Sequence, residues 1–443
     1  MRNHLKVLSV AIVIAFLILA FTFRAPIHAY ADEKTTTEEW GDVIHVLIPV
    51  FAVGSTFFTG APDGSRWDKE GTSQSVKGIG TAVVSTAIWK RLADKMRPNQ
   101  SSSTSFPSGH ASFAFSGAGF IDTRYGHKWG IPALLGAAFV GYSRVYADAH
   151  FADDATAGAA VGLLSSWIFT TPQSESRNVS VLPMLLEDGA GLQVTFRSGK
   201  TTSDEDTKKV KTGHPRARFN FGFGPQFLAK NEITSPSATG TIFDLEKFNK
   251  DEDPTTTAAI TFDIFLNDRN ELSIFWWPFE SRDTGIFTNP VSFAGQIFPA
   301  NTQIQSDWIQ YNLQAAWRYN LTPSSPWDVK AGVGLLYQNT EVDLSTSTLF
   351  ATVQDWVLLP YLSASVGYQI TPKWLIALSA DGIYLSDDSM LDAVGYVNYK
   401  ISDRWDFSLG YRYYERDIET SELTNRVIYT GPYGAIAFSW LSG

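Results

Sequence analysis

The chain changes its hydrophobic period once. From Trp40 to about Thr171 the apolar positions come in blocks, Val43 to Phe58, Ile79 to Trp89, Ile131 to Val145 and Ala155 to Phe169, set apart by Gly and Pro. Such blocks predict packed helices, and their Ala and Gly content permits close approach. None is a clean apolar run of the ~20 residues that span a bilayer. His45 and Arg144 interrupt two of them, and Lys77 and Asp154 stand at the edges of others. A compact, exported, all-α bundle is expected over 38–174. Val179 to Phe196 predicts a hairpin turning at Glu187-Asp188-Gly189. Ser198 to Arg218 is polar and aperiodic, as a linker is. Hairpin and linker together occupy 175–216.

After Phe219 the period becomes two. Ile309, Tyr311, Leu313, Ala315, Trp317 and Tyr319 alternate with polar or small residues; so do Trp327, Val329, Ala331, Val333, Leu335 and Tyr337, and Trp405, Phe407, Leu409, Tyr411 and Tyr413. Long strands with one apolar and one polar face predict an antiparallel transmembrane β-barrel over 217–443, with about ten strands. A soluble β-sandwich with one wet face would share the alternation. Two features favour the barrel. Trp308, Trp317, Tyr319, Trp327, Trp374 and Trp405 stand near strand ends, where interfacial girdles form. Tight turns (Asn267 to Asn270, Thr322 to Pro326, Thr371 to Lys373, Ser402 to Arg404) alternate with longer polar segments near 230–256, 280–305, 342–356 and 417–425. Ile436, Phe438 and Trp440 resemble the aromatic C-terminal signature of outer-membrane proteins, although Leu441-Ser442-Gly443 run past the usual terminal ring.

Residues 1–31 carry Arg2 and Lys6, an apolar run from Val7 to Phe23, and Ala29-Tyr30-Ala31 as a small-x-small site, which predicts a cleaved signal peptide. Of the 443 residues none is cysteine, and the formal charge is −10. Disulfides, thiolate zinc sites and a cysteine nucleophile are thereby excluded. An acidic chain lacks the basic face a nucleic acid needs.

Within the helical half, Lys90 precedes Arg97-Pro98; then come Phe106-Pro107-Ser108-Gly109-His110, and then Ser143-Arg144, His150 and Asp154. This string resembles the type 2 phosphatidic acid phosphatase superfamily, which includes bacterial acid phosphatases and vanadium haloperoxidases. That pattern is Lys, six residues, Arg-Pro; Pro-Ser-Gly-His; Ser-Arg, five residues, His, three residues, Asp, and each position is matched. The resemblance covers roughly 40–172 and is silent about the barrel.

The residue types suit phosphoryl transfer. A phosphate ester spreads charge over its oxygens in the transition state, so its site needs fixed positive donors. Lys90, Arg97 and Arg144 supply them, the guanidinium groups in bidentate fashion. Ser108-Gly109 after Pro107 reads as a helix start, whose free N–H groups favour an anion. The resemblance implies that His150 attacks phosphorus to give a phosphohistidine, and that His110 protonates the leaving oxygen and then activates water. Asp154, one helical turn after His150, can accept its other ring N–H. Blander readings exist for the neighbours. Lys90, Arg91 and Lys95 alone would be a solvated helix face. Asp148, Asp153 and Asp154 lack the ordered spacing of a metal site. His45 and His127 fall outside the pattern and read as structural.

The expectation is therefore a phosphatase with no metal or organic cofactor, anchored in the outer membrane of a Gram-negative-type bacterium. Its substrate would be a phosphorylated lipid or a small phosphoester, its partner the outer-membrane lipid and not nucleic acid. Barrel N-termini face the periplasm, which places the catalytic half there. The alternatives are a haloperoxidase holding vanadate on His150, and a porin-like barrel beside an inactive helical half.

Overall fold

A computed structural model describes residues 31–61, 65–173, 178–186, 189–197, 215–235, 240–248, 254–323, 325–385 and 388–441. The expected signal peptide, apart from Ala31, and most of the linker lie outside those residues. Five helices come first: α1 (Ala31–Ser55), α2 (Lys69–Ala93), α3 (Gly109–Tyr125), α4 (His127–Tyr146) and α5 (Ala152–Phe169). β1 (Asn178–Leu186) and β2 (Gly189–Arg197) form the expected hairpin, a two-stranded sheet of its own. Then come β3 (Pro215–Thr234), the stub β4 (Phe243–Asp244), β5 (Thr255–Phe265), β6 (Asn270–Ile286), the small hairpin β7 (Val291–Phe293) and β8 (Gln296–Phe298), and β9 (Gln303–Asn320). β10 (Trp327–Ser345), β11 (Phe350–Thr371), β12 (Trp374–Leu385), β13 (Asp388–Lys400), β14 (Trp405–Glu419) and β15 (Thr424–Leu441) complete the chain.

In the bundle, small residues decide the spacing. α3 lies against α5 so closely that a Cβ at Gly158 would come within 2.5 Å of the Ser108 carbonyl oxygen, and one at Gly162 within 2.5 Å of the Ser112 carbonyl. The far end is pinned by Arg124, which donates to both Asp68 carboxylate oxygens at 2.9 and 2.7 Å, while Asp68 also caps α2 through the Gly71 N–H. No described helix is long and apolar enough to cross a membrane by itself.

The ten long strands form a closed antiparallel barrel, shut by β15 pairing with β3 from Thr424↔Thr234 to Leu441↔Pro215. Alternation sorts the two faces. Val333, Leu335, Leu362, Leu378, Leu409 and Tyr411 stand outward and exposed. Arg218, Asp263, Glu271, Arg318, Asp381, Asp392 and Arg412 point into a cavity of about 680 Å³ at the short-turn end of the lumen. The other end of the lumen is filled by Trp277, Phe279, Trp308, Tyr414 and Tyr429 packed on one another, as a barrel of this size permits. Trp308 is thus an interior plug residue and not a girdle ring. The girdle at the short-turn rim consists of Trp327 against Tyr368, Trp374 against Tyr399 and Trp405 against Phe438, at 4.7–4.9 Å between ring centroids.

Two of the expected long loops prove to be strand. β10 runs to Ser345 and β11 starts at Phe350, while β14 runs to Glu419 and β15 starts at Thr424. Long connections remain at 235–254 and 287–302.

The bundle packs on the outer wall of the barrel, over β3, β5, β6 and β15. Trp167 of α5 meets Phe219, Phe438 and Trp440 at 5.5, 5.4 and 5.1 Å. Trp89 of α2 meets Phe223, and Trp276 donates from Nε1 to the Thr156 hydroxyl. Leu313, expected among the lipid-facing residues, is half-buried in this contact region.

Candidate active site

The C-terminal end of α2, the N-terminal end of α3, the C-terminal end of α4 and the N-terminal end of α5 meet at one end of the bundle. Ser108 is the N-cap of α3, its hydroxyl accepting the Ala111 N–H at 3.4 Å. Its own N–H donates to the Asp154 carbonyl at 2.9 Å, which ties the start of α3 to α5. The stem of Lys90 lies beside this helix start, its Cε 3.8 Å from where a Cβ at Gly109 would stand. Lys90 Nζ donates to the Thr104 carbonyl. Arg97, in the loop after α2, has a buried Nε with no hydrogen-bond partner, a donor held ready for an anion. The expected residues Lys90, Arg97, Ser108, Gly109, His110, Arg144, His150 and Asp154 are thus all brought to this end.

His150 is 2% exposed. Its Nδ1 lies 3.8 Å from Asp154 Oδ2 and 3.5 Å from the Ser105 hydroxyl. Asp154 Oδ2 also accepts from Ser105 Oγ at 2.5 Å and from the Phe151 N–H at 2.9 Å, while Oδ1 lies 3.1 Å from Lys95 Nζ. Burial alone would raise the Asp154 pKa, but Lys95 in particular, with His150 and Ser105, holds it well below the usual carboxylate range. His150 is shifted down, first by burial and then by Lys90 and Arg97, against the pull of Asp154. The shift favours its neutral form.

Arg144 is buried and donates through Nη1 to Asp42 Oδ1 at 2.8 Å and through Nη2 to the Glu38 carbonyl at 2.6 Å. The same Asp42 oxygen lies 3.3 Å from His110 Nε2. Burial, Arg144 and His45 together lower the His110 pKa to about 4, against Asp42. Burial and then Arg97 lower Lys90 to about 8, against Asp154.

Four residues gain roles in the site that the sequence pattern withheld. Lys95 is 8% exposed and grips both oxygens of Asp153 at 2.7 Å, so it is no part of a solvated helix face. Burial alone would lower its pKa; Asp153 and Asp154 outweigh that and raise it. The consecutive acids Asp153-Asp154 were the available signal. Ser105 and Asp42 had none. His45 packs its ring 4.3 Å from that of His110, whereas His127 pairs with Asp122 at 2.8 Å, a structural contact as expected. Asp42, His45 and His110 place ligating atoms within 4.8 Å of one another. Arg144 already holds Asp42, and its charge opposes a cation there.

A helical bundle that gathers a buried His–Asp pair with lysine and arginine side chains at one end is here joined to a closed β-barrel. The chain belongs to the PAP2 superfamily, whose family model matches residues 69–177. It is 31% identical over 153 residues to a lipid A 4'-phosphatase of Helicobacter pylori, covering 32% of this chain and 72% of that one. It is 30% identical over 129 residues to a lipid A 1-phosphatase of Porphyromonas gingivalis, and there the match spans only 28% of each chain. Among solved structures, Aquifex aeolicus LpxE aligns at 22% identity and TM-score 0.27, over 35% of this chain and 92% of that one. The Escherichia coli outer membrane protease OmpT aligns at 7% identity and TM-score 0.33, over 53% of this chain and all of that one.

Proposed function

We propose that the protein is an exported lipid phosphatase, working through a phosphohistidine and held in the outer membrane by its barrel. The observation that carries this reading is the convergence of Lys90, Arg97, Arg144 and the start of α3 on the His150–Asp154 pair. The donors bind the phosphoryl oxygens, and Arg97 Nε gains the partner it lacks. His150 is neutral and oriented by Asp154 from the Nδ1 side, so Nε2 attacks phosphorus. The P–O bond breaks as His110 gives the leaving oxygen a proton. In the second step His110 takes a proton from water, the water oxygen attacks phosphorus, the P–N bond breaks and inorganic phosphate departs. His110 is unprotonated in the empty pocket; the charge of the bound phosphate raises its proton affinity to the level this role requires.

The parts divide as signal peptide 1–31, phosphatase unit 38–174, hairpin and linker 175–216, and barrel 217–443. A lipid-borne phosphate suits an enzyme whose relatives are named lipid A phosphatases. The exposed apolar outer face and ring girdle of the barrel support an outer-membrane anchor. Chain direction alone, with the catalytic unit ahead of the barrel, favours the periplasmic side.

The test is phosphate release by the full-length protein in detergent, from lipid A and from a soluble phosphomonoester. His150→Ala should abolish release from both and leave none of the alkali-stable, acid-labile phosphoenzyme that a phosphohistidine gives. Vanadate should inhibit; if it instead switched on halide oxidation by peroxide, the haloperoxidase reading would replace this one. Full activity in the His150→Ala protein would refute the assignment.

A further inference from the structure

The contacts between bundle and barrel fix which rim of the barrel the active site shares. β5–β6, β9–β10, β11–β12 and β13–β14 connect at one rim through 266–269, 321–326, 372–373 and 401–404. The two long excursions, 235–254 and 287–302, leave the opposite rim. In outer-membrane barrels short turns face the periplasm and long loops the exterior. The far end of the bundle, at Trp167, rests on Phe219, Phe438 and Trp440, on the first and last barrel strands near the short-turn rim. The catalytic end rests near the long-loop rim. The Ala152 N–H donates to Glu280 at 3.3 Å, and Arg282 donates to the Pro98 carbonyl next to Arg97.

Those contacts also mark a level. Along β6 the outward face is apolar at Leu272, Ile274 and Trp276 and turns charged at Glu280 and Arg282. Arg282 is bidentate to Asp307 at 2.6 and 2.7 Å, and Glu280 accepts from the Tyr311 hydroxyl at 2.5 Å. The catalytic end therefore meets the wall at the charged stretch of β6, on the long-loop side of its apolar stretch. Elsewhere on the wall, strands continue well beyond the ring pair Tyr337–Trp356, whereas Trp327, Trp374 and Trp405 open their strands at the opposite rim. The bundle carries a matching band. Val43, Val46, Leu47, Val50 and Phe51 on α1, and Val83, Val84 and Ile88 on α2, are exposed with no charged residue among them. Charges collect at the catalytic end (Glu38, Asp42, Arg91, Arg97) and toward the other (Arg66, Lys69, Glu70, Lys128), where on α2 they reach as far as the exposed Lys77. An apolar flank continuous with a barrel's lipid belt is covered by lipid.

We propose that the bundle lies in the bilayer beside the barrel with its active site at the outer-leaflet headgroup level, and that it takes the phosphate of an outer-leaflet glycolipid whose acyl chains lie along α1 and α2. This rests on the phosphatase reading for the chemistry, though not for the placement. The barrel holds the helices at that depth, which is why no single helix needs to span.

The chain's lack of cysteine supplies a clean background for the test. Ser101→Cys lies in the exposed loop after Arg97, and Asp403→Cys in a tight turn of the opposite rim. On intact cells a membrane-impermeant maleimide should label Ser101→Cys, and should label Asp403→Cys only after the outer membrane is permeabilised. Protection of Ser101→Cys until permeabilisation, or identical behaviour of the two variants, overturns the placement whatever the activity. In the second arm, cells carrying the full chain should lose phosphate from surface lipid A relative to cells carrying His150→Ala, while vesicles of phosphatidic acid should be poor substrates for the purified protein. Surface labelling with hydrolysis of a soluble ester but no loss from lipid A overturns the substrate. Surface labelling with no hydrolysis of anything leaves the placement standing and removes the phosphatase reading.

Discussion

Asp42 stands between Arg144 and His110 with one oxygen within 3.3 Å of both, the place a phosphoryl oxygen would take. A bound phosphate must displace it, so Asp42→Asn should tighten inorganic phosphate inhibition by about tenfold, the worth of one charge-assisted contact. Weaker inhibition would mean that Asp42 helps to build the pocket. Lys90 loses its charge as pH rises through about 8, so kcat/KM should fall on that alkaline limb. Lys90→Arg, charged throughout, should move the limb upward even if the rate drops; an unmoved limb belongs to another group. Lys95→Ala leaves two carboxylates buried without their cation, which costs about 3–5 kcal/mol. Thermal melting of the helical half should show that loss, and Arg91→Ala, on an exposed position, should not. The motif residues were legible because their spacing along the chain survives folding. Lys95, Ser105 and Asp42 were not, since each acts through a partner on another element.

Elements were legible where one face differed in chemistry from the other. Alternation in β10 predicts strand as far as Tyr337, yet the strand runs to Ser345. Beyond Tyr337 the outward face turns polar, as at Glu341 and Asp343, so the period-two signal stops while the backbone pairing with β11 does not. The same reason extends β14 and β15 into 417–425. In the helices, small residues read as permissive in sequence become demanding in the structure. Gly162 admits no side chain between α5 and the α3 backbone, whereas Gly80 on α2 has nothing within 4 Å of an added Cβ. Gly162→Leu should therefore displace His150 and Asp154 from Ser108 and abolish activity. Gly80→Ala should keep activity and raise helix stability by up to about 1 kcal/mol. Thermal melting and an activity assay on both variants check the contrast, and an active, stable Gly162→Leu protein would contradict the packing.

At the scale of the molecule, the docking of bundle on barrel was hidden from sequence. Trp276, 1% exposed beneath α5, and Leu409, 58% exposed on the open wall, occupy the same outward phase of the same alternation. A ring that will face helices reads like one that will face lipid. That equivalence separates two kinds of variant. Leu409→Arg places a charge against hydrocarbon, at a cost of about 2–4 kcal/mol near the midplane. It should lower the amount of heat-modifiable barrel in the membrane, while each assembled molecule keeps its specific activity. Ser408→Arg, on the lumen face where Ser408 donates to Asn398 at 2.8 Å, should assemble better. Glu280→Ala acts in the opposite way. It removes the acceptor of the Ala152 N–H and of Tyr311, a partly satisfied buried set worth about 1–3 kcal/mol. Barrel yield should then hold while the start of α5, which carries His150 and Asp154 at its edge, loosens and kcat drops several-fold. Quantifying folded barrel by gel mobility and activity per folded molecule on the same samples distinguishes them. If Glu280→Ala left activity per molecule unchanged, the barrel would be an anchor alone and its wall no part of what positions the catalytic end.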